Sequence, residues 1–132
     1  MRVKKPDHKN ALSLIIESEN QMKFTLTIPV TEDSAFTVLR NIYECFRMLG
    51  DALLANQGFE TTDHIEPLNA LLKLNIDTKR PINTIDSLRR IRHNINYYGY
   101  HPTIIEANYA IDIAKSCFWQ LSAAIKKELE KS

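Results

Sequence analysis

The chain has 132 residues, of which 44% are hydrophobic, and 17 basic against 16 acidic side chains leave a formal net charge of +1. This length suits a single domain with its own core over residues 1–132 and is too short for two domains that each bury a sizeable core. The near balance of charge excludes the overall attraction to polyanions of a histone-like tail, so any nucleic-acid binding needs a local patch.

The first two helices are predicted from apolar spacing and from the residues at their ends. Pro6-Asp7 opens the first helix, which runs to about Thr27 and is stopped by Pro29. The segment Thr31 to Ser34 offers hydroxyl and carboxylate caps for the second helix, and Gly58 ends it. The apolar faces are predicted to be Leu12, Ile15, Ile16, Met22 and Leu26 in the first helix, and Ala35, Val38, Leu39, Ile42, Phe46, Leu49 and Leu53 in the second.

Three further helices follow. The segment Thr61 to Asp63 begins the third helix, Asn83 or Thr84 caps the fourth, Gly99 ends the fourth, and Thr103 begins the last. Their predicted apolar faces are Ile65, Leu68, Leu71, Leu72 and Ile76, then Ile85, Leu88, Ile91, Ile95 and Tyr98, and then Ile104, Ala107, Ala110 or Ile111, Ala114, Phe118, Leu121 and Ile125.

Five helices with short connections predict an all-α, five-helix up-and-down bundle, with residues 127–132 as a charged tail that frays. Cys45 and Cys117 sit in apolar helical patterns, which favours buried free thiols in a reducing cytosol. No apolar run approaches the roughly 18 residues that span a membrane. The residues after Met1 do not form the apolar core of a signal peptide. We therefore expect a soluble, cytoplasmic protein that does not bind membranes.

The residues able to do chemistry concentrate in the stretch LRRIRHNINYYGYH, from Leu88 to His101. On a helix, Arg92 falls at the border of the apolar face. A guanidinium there either pairs with a carboxylate or binds a phosphate. The candidate ion-pair partners of Arg92 are Glu44, Asp51 and Asp112, and ion pairing is the more ordinary interpretation.

The rest of the stretch also has a plain explanation. Arg89 and Arg90 are predicted to form weak surface pairs with Asp86, three and four residues upstream. The three tyrosines are more commonly helix-packing residues with solvated hydroxyls than platforms for base stacking.

Other chemistries find little support. The sequence has no Gly-rich phosphate loop, no H-E-x-x-H and no Cys/His cluster with metal-ligand spacing, so we predict no metal and no cofactor. The four histidines are scattered along the chain. His64, near the start of the third helix, is predicted to be a capping or packing residue.

Three blocks, in this order, carry a resemblance to a known family. They are IYECFRMLGDALLANQGF (residues 42–59), DHIEPLNALL (residues 63–72) and SLRRIRHNINYYGY (residues 87–100). Together they resemble the HEPN (higher eukaryotes and prokaryotes nucleotide-binding) superfamily, in a prokaryotic, archaeal branch that lacks the motif histidine. The resemblance covers about residues 35–125 and implies a HEPN-like helical fold.

In that superfamily an arginine followed by a polar residue is separated by four to six residues from a histidine. Arg92 and His93 match the first half of the motif. The positions of the histidine hold Tyr97, Tyr98 and Gly99, and His101 lies beyond them. Family ribonucleases are metal-independent and use the histidine for proton transfer, which a phenol with a pKa near 10 performs poorly at neutral pH.

The resemblance therefore implies a non-catalytic module in which Arg92, His93, Asn96 and Tyr97 hold a nucleotide phosphate or an RNA backbone. It also implies a homodimer with the Arg92 helices near the two-fold axis. The implied protein partner is a minimal nucleotidyltransferase in a toxin–antitoxin-like pair. Such a partner adenylylates family tyrosines near the motif, and the corresponding candidates for modification are Tyr97, Tyr98 and Tyr100.

Two alternatives stay open at this point. The first is a metal-independent ribonuclease toxin that uses Arg92 with His93 or His101 as its catalytic residues. The second is a structural homodimer or scaffold that binds no ligand and in which Arg92 pairs with an acidic side chain.

Overall fold

A computed structural model describes residues 1–61, 63 and 65–131. Over these residues the chain is an all-α bundle, which confirms the predicted class. The five predicted helices are present, the last with a π-helical turn in its middle. The elements are β1 (Arg2–Val3), α1 (His8–Thr25), α2 (Ala35–Gln57), β2 (Phe59–Glu60), α3 (Ile65–Leu72), a 3-10 turn (Ile82–Thr84), α4 (Ile85–Tyr98), and α5 (Ile104–Ile113), the π-helical turn (Ala114–Phe118) and α6 (Trp119–Glu130) in unbroken succession.

Most predicted helix ends are capped as their residue types suggest. Asp7 Oδ1 accepts a hydrogen bond from the Asn10 amide at 3.0 Å, and Gly58 ends α2 with a φ of 87°. Thr103 and Glu106 form a capping box at the start of α5. In the segment predicted to cap α2, Thr31 Oγ1 accepts a hydrogen bond from the Ser34 amide at 3.1 Å, whereas the Ser34 hydroxyl makes no capping bond to α2. Instead, this hydroxyl donates a hydrogen bond to the carbonyl oxygen of Pro29 at 2.6 Å.

Helix α2 forms the centre of the core, and all seven residues of its predicted apolar face are buried. The face predicted for α1 is partly wrong, since Leu12 and Ile16 are 45% and 47% exposed. The small residues Ala11 and Ser18 are buried in their place. Because small side chains allow two helix backbones to approach, α1 turns them toward the bundle and leaves two large apolar residues outside.

Apolar residues near helix ends also deviate from the predicted faces. Ile65, at the start of α3, is 50% exposed, and Tyr98, at the end of α4, is 75% exposed. Ile104 opens α5 and is 37% exposed, whereas Ala110 and not Ile111 is fully buried further along. End turns project past the neighbouring helices, so periodicity alone overestimates how much of them the core covers.

Two features had no sequence signal. Residues Arg2–Val3 pair antiparallel with Phe59–Glu60, and such two-residue strands are too short for an alternating pattern to appear. The π-helical turn Ala114–Phe118 inserts a wider turn into the last helix, and Phe118 within it is fully buried. The helix continues to Glu130, into the segment predicted to fray. In the described part of the chain no helix combines the length and apolarity needed to cross a membrane.

Candidate functional site

The predicted site residues lie on α4 and in the turn that follows it. Ile85 and Leu88 anchor the helix because both are buried, and Ile91 and Ile95 extend this face with half-buried side chains. At Gly99 the backbone adopts a φ of 62°, a conformation that glycine reaches without a steric penalty. One side of α4 is therefore fixed against the core, and the other side faces solvent.

Arg92 lies at the edge of the buried face, where the sequence predicted it. The residue as a whole is half-buried, and its Nη1 donates a hydrogen bond to Asn96 Oδ1 at 2.5 Å. Its Nε is buried and has no hydrogen-bond partner among the described residues. A buried donor without a partner costs about 1–3 kcal/mol of folding free energy.

The predicted ion pair of Arg92 is wrong. In the described part of the chain no carboxylate forms an ion pair with Arg92, because all three candidate carboxylates contact other arginines. They are Glu44 and Asp51, at 2.7 and 2.8 Å from Arg47, and Asp112, at 3.9 Å from Arg80.

The other two arginines of α4 do pair as predicted. Asp86 lies 2.8 Å from Arg89 and 3.2 Å from Arg90. The hydrogen bond from Arg89 and the charges of both arginines hold the pKa of Asp86 below its usual value against the opposing effect of burial. Arg92 is thus the arginine of α4 that has no acidic partner among the described residues.

Exposed aromatic rings follow Arg92 along the helix. The His93 ring lies 4.5 Å from the Tyr97 ring, centroid to centroid, with 37° between their planes. It lies 6.1 Å from the Tyr98 ring at 68°. Because Tyr97 is 73% exposed and Tyr98 75% exposed, both rings have surface available for stacking on a base.

Tyr100 and His101 are engaged elsewhere. The Tyr100 hydroxyl donates to Glu106 Oε1 at 2.5 Å, and this bond to a carboxylate, with some help from burial, raises the pKa of Tyr100. His101 Nε2 lies 3.3 Å from the carbonyl oxygen of Glu32. The recorded contacts of both residues therefore lead to α5 and to the loop before α2, and not to Arg92.

Tyr43 of α2 belongs to this neighbourhood, although the sequence did not single it out. It is 1% exposed. Burial raises its pKa, and the charge of Glu44 adds to this effect. The charges of Arg47, Arg89 and Arg92 act in the opposite direction, so all three guanidiniums lie within electrostatic range of its hydroxyl. Only packing of α4 on α2 creates this arrangement, which local sequence cannot reveal.

Metal chemistry has no visible basis in the described residues, which contain no group of three or more His, Cys, Asp or Glu side chains able to hold an ion. His64, predicted to cap or pack, lies outside the described residues. The functional groups near Arg92 are therefore a guanidinium, a side-chain amide and exposed aromatic rings. These groups suit binding of a phosphate beside a base.

No family model, no curated protein and no solved structure matches this chain. The HEPN resemblance accordingly stays a prediction from the sequence blocks described above. Any functional assignment therefore rests on the arrangement of residues around Arg92.

Proposed function

We propose that the chain is a HEPN-like module that binds a nucleotide phosphate or an RNA backbone at Arg92 and holds it without cleaving it. One observation carries the proposal: Arg92 is half-buried, it forms no ion pair with a carboxylate of the described residues, and its Nη1 donates only to the neutral side chain of Asn96. A guanidinium fork matches the oxygens of a phosphate in charge and in geometry. An oxyanion is therefore the ligand that best completes this side chain.

The neighbours of Arg92 support a ligand that carries a base as well as a phosphate. Asn96 accepts from Arg92 at 2.5 Å and thereby orients the guanidinium. His93 and Tyr97 stand side by side and face solvent. An aromatic surface beside a phosphate-binding arginine is the combination that single-stranded nucleic acids and nucleotides require.

The non-catalytic part of the proposal rests on Tyr97. It takes the place of the motif histidine, and a phenol is a much poorer general base than an imidazole at neutral pH. His93 is the histidine adjacent to Arg92, and its recorded ring contacts are with Tyr97 and Tyr98. If the chain does cleave RNA, His93 is a better placed candidate than His101, whose recorded contact is with Glu32.

The proposal also covers the oligomeric state, the cellular location and the protein partner, which follow from the HEPN resemblance. We propose a cytoplasmic homodimer, paired with a minimal nucleotidyltransferase that adenylylates an exposed tyrosine. Tyr97 and Tyr98, at 73% and 75% exposure, offer free surface for such a modification. Tyr100 is the least suitable of the three candidates because its hydroxyl already donates to Glu106.

Fluorescence anisotropy with a labelled single-stranded RNA, in buffer containing EDTA, tests the proposal. Replacing Arg92 with alanine should weaken binding about tenfold or more, as expected for a charged hydrogen bond of 1.5–3 kcal/mol. Arg90→Ala is the matched control, since it removes the same charge from the same helix at a side chain that is 74% exposed and paired with Asp86. It should leave affinity almost unchanged.

Other outcomes would identify the alternatives. RNA cleavage in EDTA that disappears in Arg92→Ala would establish the ribonuclease and overturn the holding role. Failure of the wild-type protein to bind RNA or nucleotides, beside an intact dimer, would leave the scaffold interpretation.

A further inference from the structure

We infer that Arg40 of α2 is a second phosphate-binding residue of the Arg92 site, so that the ligand is a single RNA strand contacted at two phosphates and not a mononucleotide. This inference rests on the proposed function. It is carried by the charges of α2 and α4, by the environment of Arg40, and by the direction in which the two helices run.

Helices α2 and α4 contribute five arginines and three carboxylates. The three carboxylates are used by three of the arginines. They form the pairs of Arg47 with Glu44 and Asp51, and of Arg89 and Arg90 with Asp86. Arg40 and Arg92 are left without an acidic partner among the described residues. The excess positive charge of this pair of helices therefore resides on two residues, one on each helix.

Arg40 lacks a partner because of local competition. Glu44 stands four residues after Arg40, at a spacing that favours pairing. It contacts Arg47 instead, at 2.7 Å, and Asp51 binds the same arginine from the next turn. The Arg40 guanidinium rests over the Phe36 ring, 5.4 Å from its centroid. A guanidinium held on a ring face keeps its N–H edge free for a phosphate.

The relative direction of α2 and α4 determines which end of α4 lies beside Arg40. His101, just after α4, contacts Glu32, just before α2. At the opposite end, the 3-10 turn before α4 contacts α3, and α3 packs on the second half of α2, where Pro67 covers Gly50. The two helices therefore run antiparallel.

Tyr43 indicates which part of α2 lies nearest the arginines of α4. Arg89 and Arg92 act electrostatically on Tyr43, so they stand beside this part of α2. Arg40 lies three residues before Tyr43, about 4.5 Å along the helix axis at the usual rise. Because the helices are antiparallel, this step leads from the level of Arg89 toward that of Arg92 and Asn96.

Two unpaired arginines on facing helices suit successive phosphates of one strand. A mononucleotide offers a single phosphate and would use one of them. The exposed His93 and Tyr97 rings lie on the Arg92 side and the Phe36 ring on the Arg40 side, so aromatic surface flanks both arginines. Basic side chains that follow a strand between aromatic rings are the usual means of binding single-stranded nucleic acid.

The test compares a labelled uridine pentanucleotide with UMP and ADP, on wild-type protein and on Arg40→Ala, Arg92→Ala and Arg90→Ala. Arg40→Ala should lower pentanucleotide affinity about tenfold and leave UMP affinity nearly unchanged. The dependence of log K on log salt should become shallower by about 0.7 for the pentanucleotide, the value for one phosphate of a single strand. Arg40→Lys should restore part of the affinity, and melting curves verify folding.

The outcomes separate this inference from the proposed function. Loss of all binding in Arg92→Ala with no effect of Arg40→Ala would overturn the role of Arg40 and leave the Arg92 site intact. An equal loss of UMP and pentanucleotide in Arg40→Ala would overturn the two-phosphate ligand. ADP binding that depends on Arg40 as strongly as pentanucleotide binding would replace the RNA strand by a nucleoside diphosphate. Absence of any binding by the wild-type protein would overturn the proposed function itself.

Discussion

Arg92 and Asn96 are joined by a hydrogen bond of 2.5 Å from Nη1 to Oδ1, across one turn of α4. The bond orients the guanidinium while leaving its charge uncompensated, because an amide oxygen is neutral. An aspartate at position 96 would turn this contact into an ion pair.

Asn96→Asp should therefore weaken RNA binding about tenfold, since the new carboxylate competes with phosphate for Arg92. Asn96→Ala should have a smaller effect, because it removes the orienting bond but adds no negative charge. Anisotropy titrations of both variants against wild-type protein provide the measurement. Equal affinities of Asn96→Asp and wild type would show that Arg92 does not contact the ligand.

The fold was largely predictable from sequence, and the site only in part. The apolar face of α2 and the glycines that end α2 and α4 are local signals, and they gave the correct helices. The apolar pattern predicts the wrong face for α1, because it assigns the large residues Leu12 and Ile16 to the core, whereas Ala11 and Ser18 are the buried ones.

The partner of Arg92 was misassigned for a different reason. Glu44 and Asp51 lie three and four residues from Arg47 on the same helix and both pair with it, so spacing within α2 already favours Arg47 as their partner over Arg92. Tyr43, buried within electrostatic range of three arginines, could not be predicted, because Arg89 and Arg92 of α4 come near it only through the packing of α4 on α2.

Ile105 offers a test of the proposed homodimer. It is 80% exposed in the first turn of α5, across a short turn from Tyr98, which is 75% exposed at the end of α4. If the two-fold axis runs near α4, Ile105→Glu places charges into the interface and should shift the dimer to monomer. Ile16→Glu, on α1 at an initial exposure of 47%, is the control. Light scattering after size exclusion makes the measurement, and a monomeric wild-type protein at micromolar concentration would refute the dimer.

Gly50 should be intolerant of any side chain. It lies in the middle of α2, and a Cβ there would come within 2.1 Å of the Pro67 carbonyl oxygen, a backbone atom of α3. Gly50→Ala should lower the free energy of unfolding by about 3 kcal/mol or more, at the upper end of overpacking effects. Gly99→Ala meets no atom within 4 Å and should cost only about 1–2 kcal/mol for its left-handed backbone. Urea unfolding of the two variants should thus give clearly different midpoints, and equal midpoints would show that α3 shifts freely.

Glu19 links α1 to the last helix and should make stability depend on acid pH. It accepts a hydrogen bond from Ser122 Oγ at 2.6 Å and one from Lys126 Nζ at 2.9 Å. Burial by itself would raise the pKa of Glu19, but these two partners outweigh it and place the pKa below the ordinary 4.5.

Because the folded-state pKa is the lower one, the stabilisation by Glu19 is complete above about pH 4.5 and is lost as the pH falls through the folded value. Lys126 is 43% exposed, so solvent screening keeps the contribution near 1 kcal/mol. Glu19→Gln should be less stable than wild type by about this amount at pH 7, and the two stability curves should converge as the pH falls below the folded-state pKa of Glu19. Urea unfolding between pH 3 and 7 measures this, and a constant difference over that range would show that the carboxylate charge of Glu19 does not stabilise the fold.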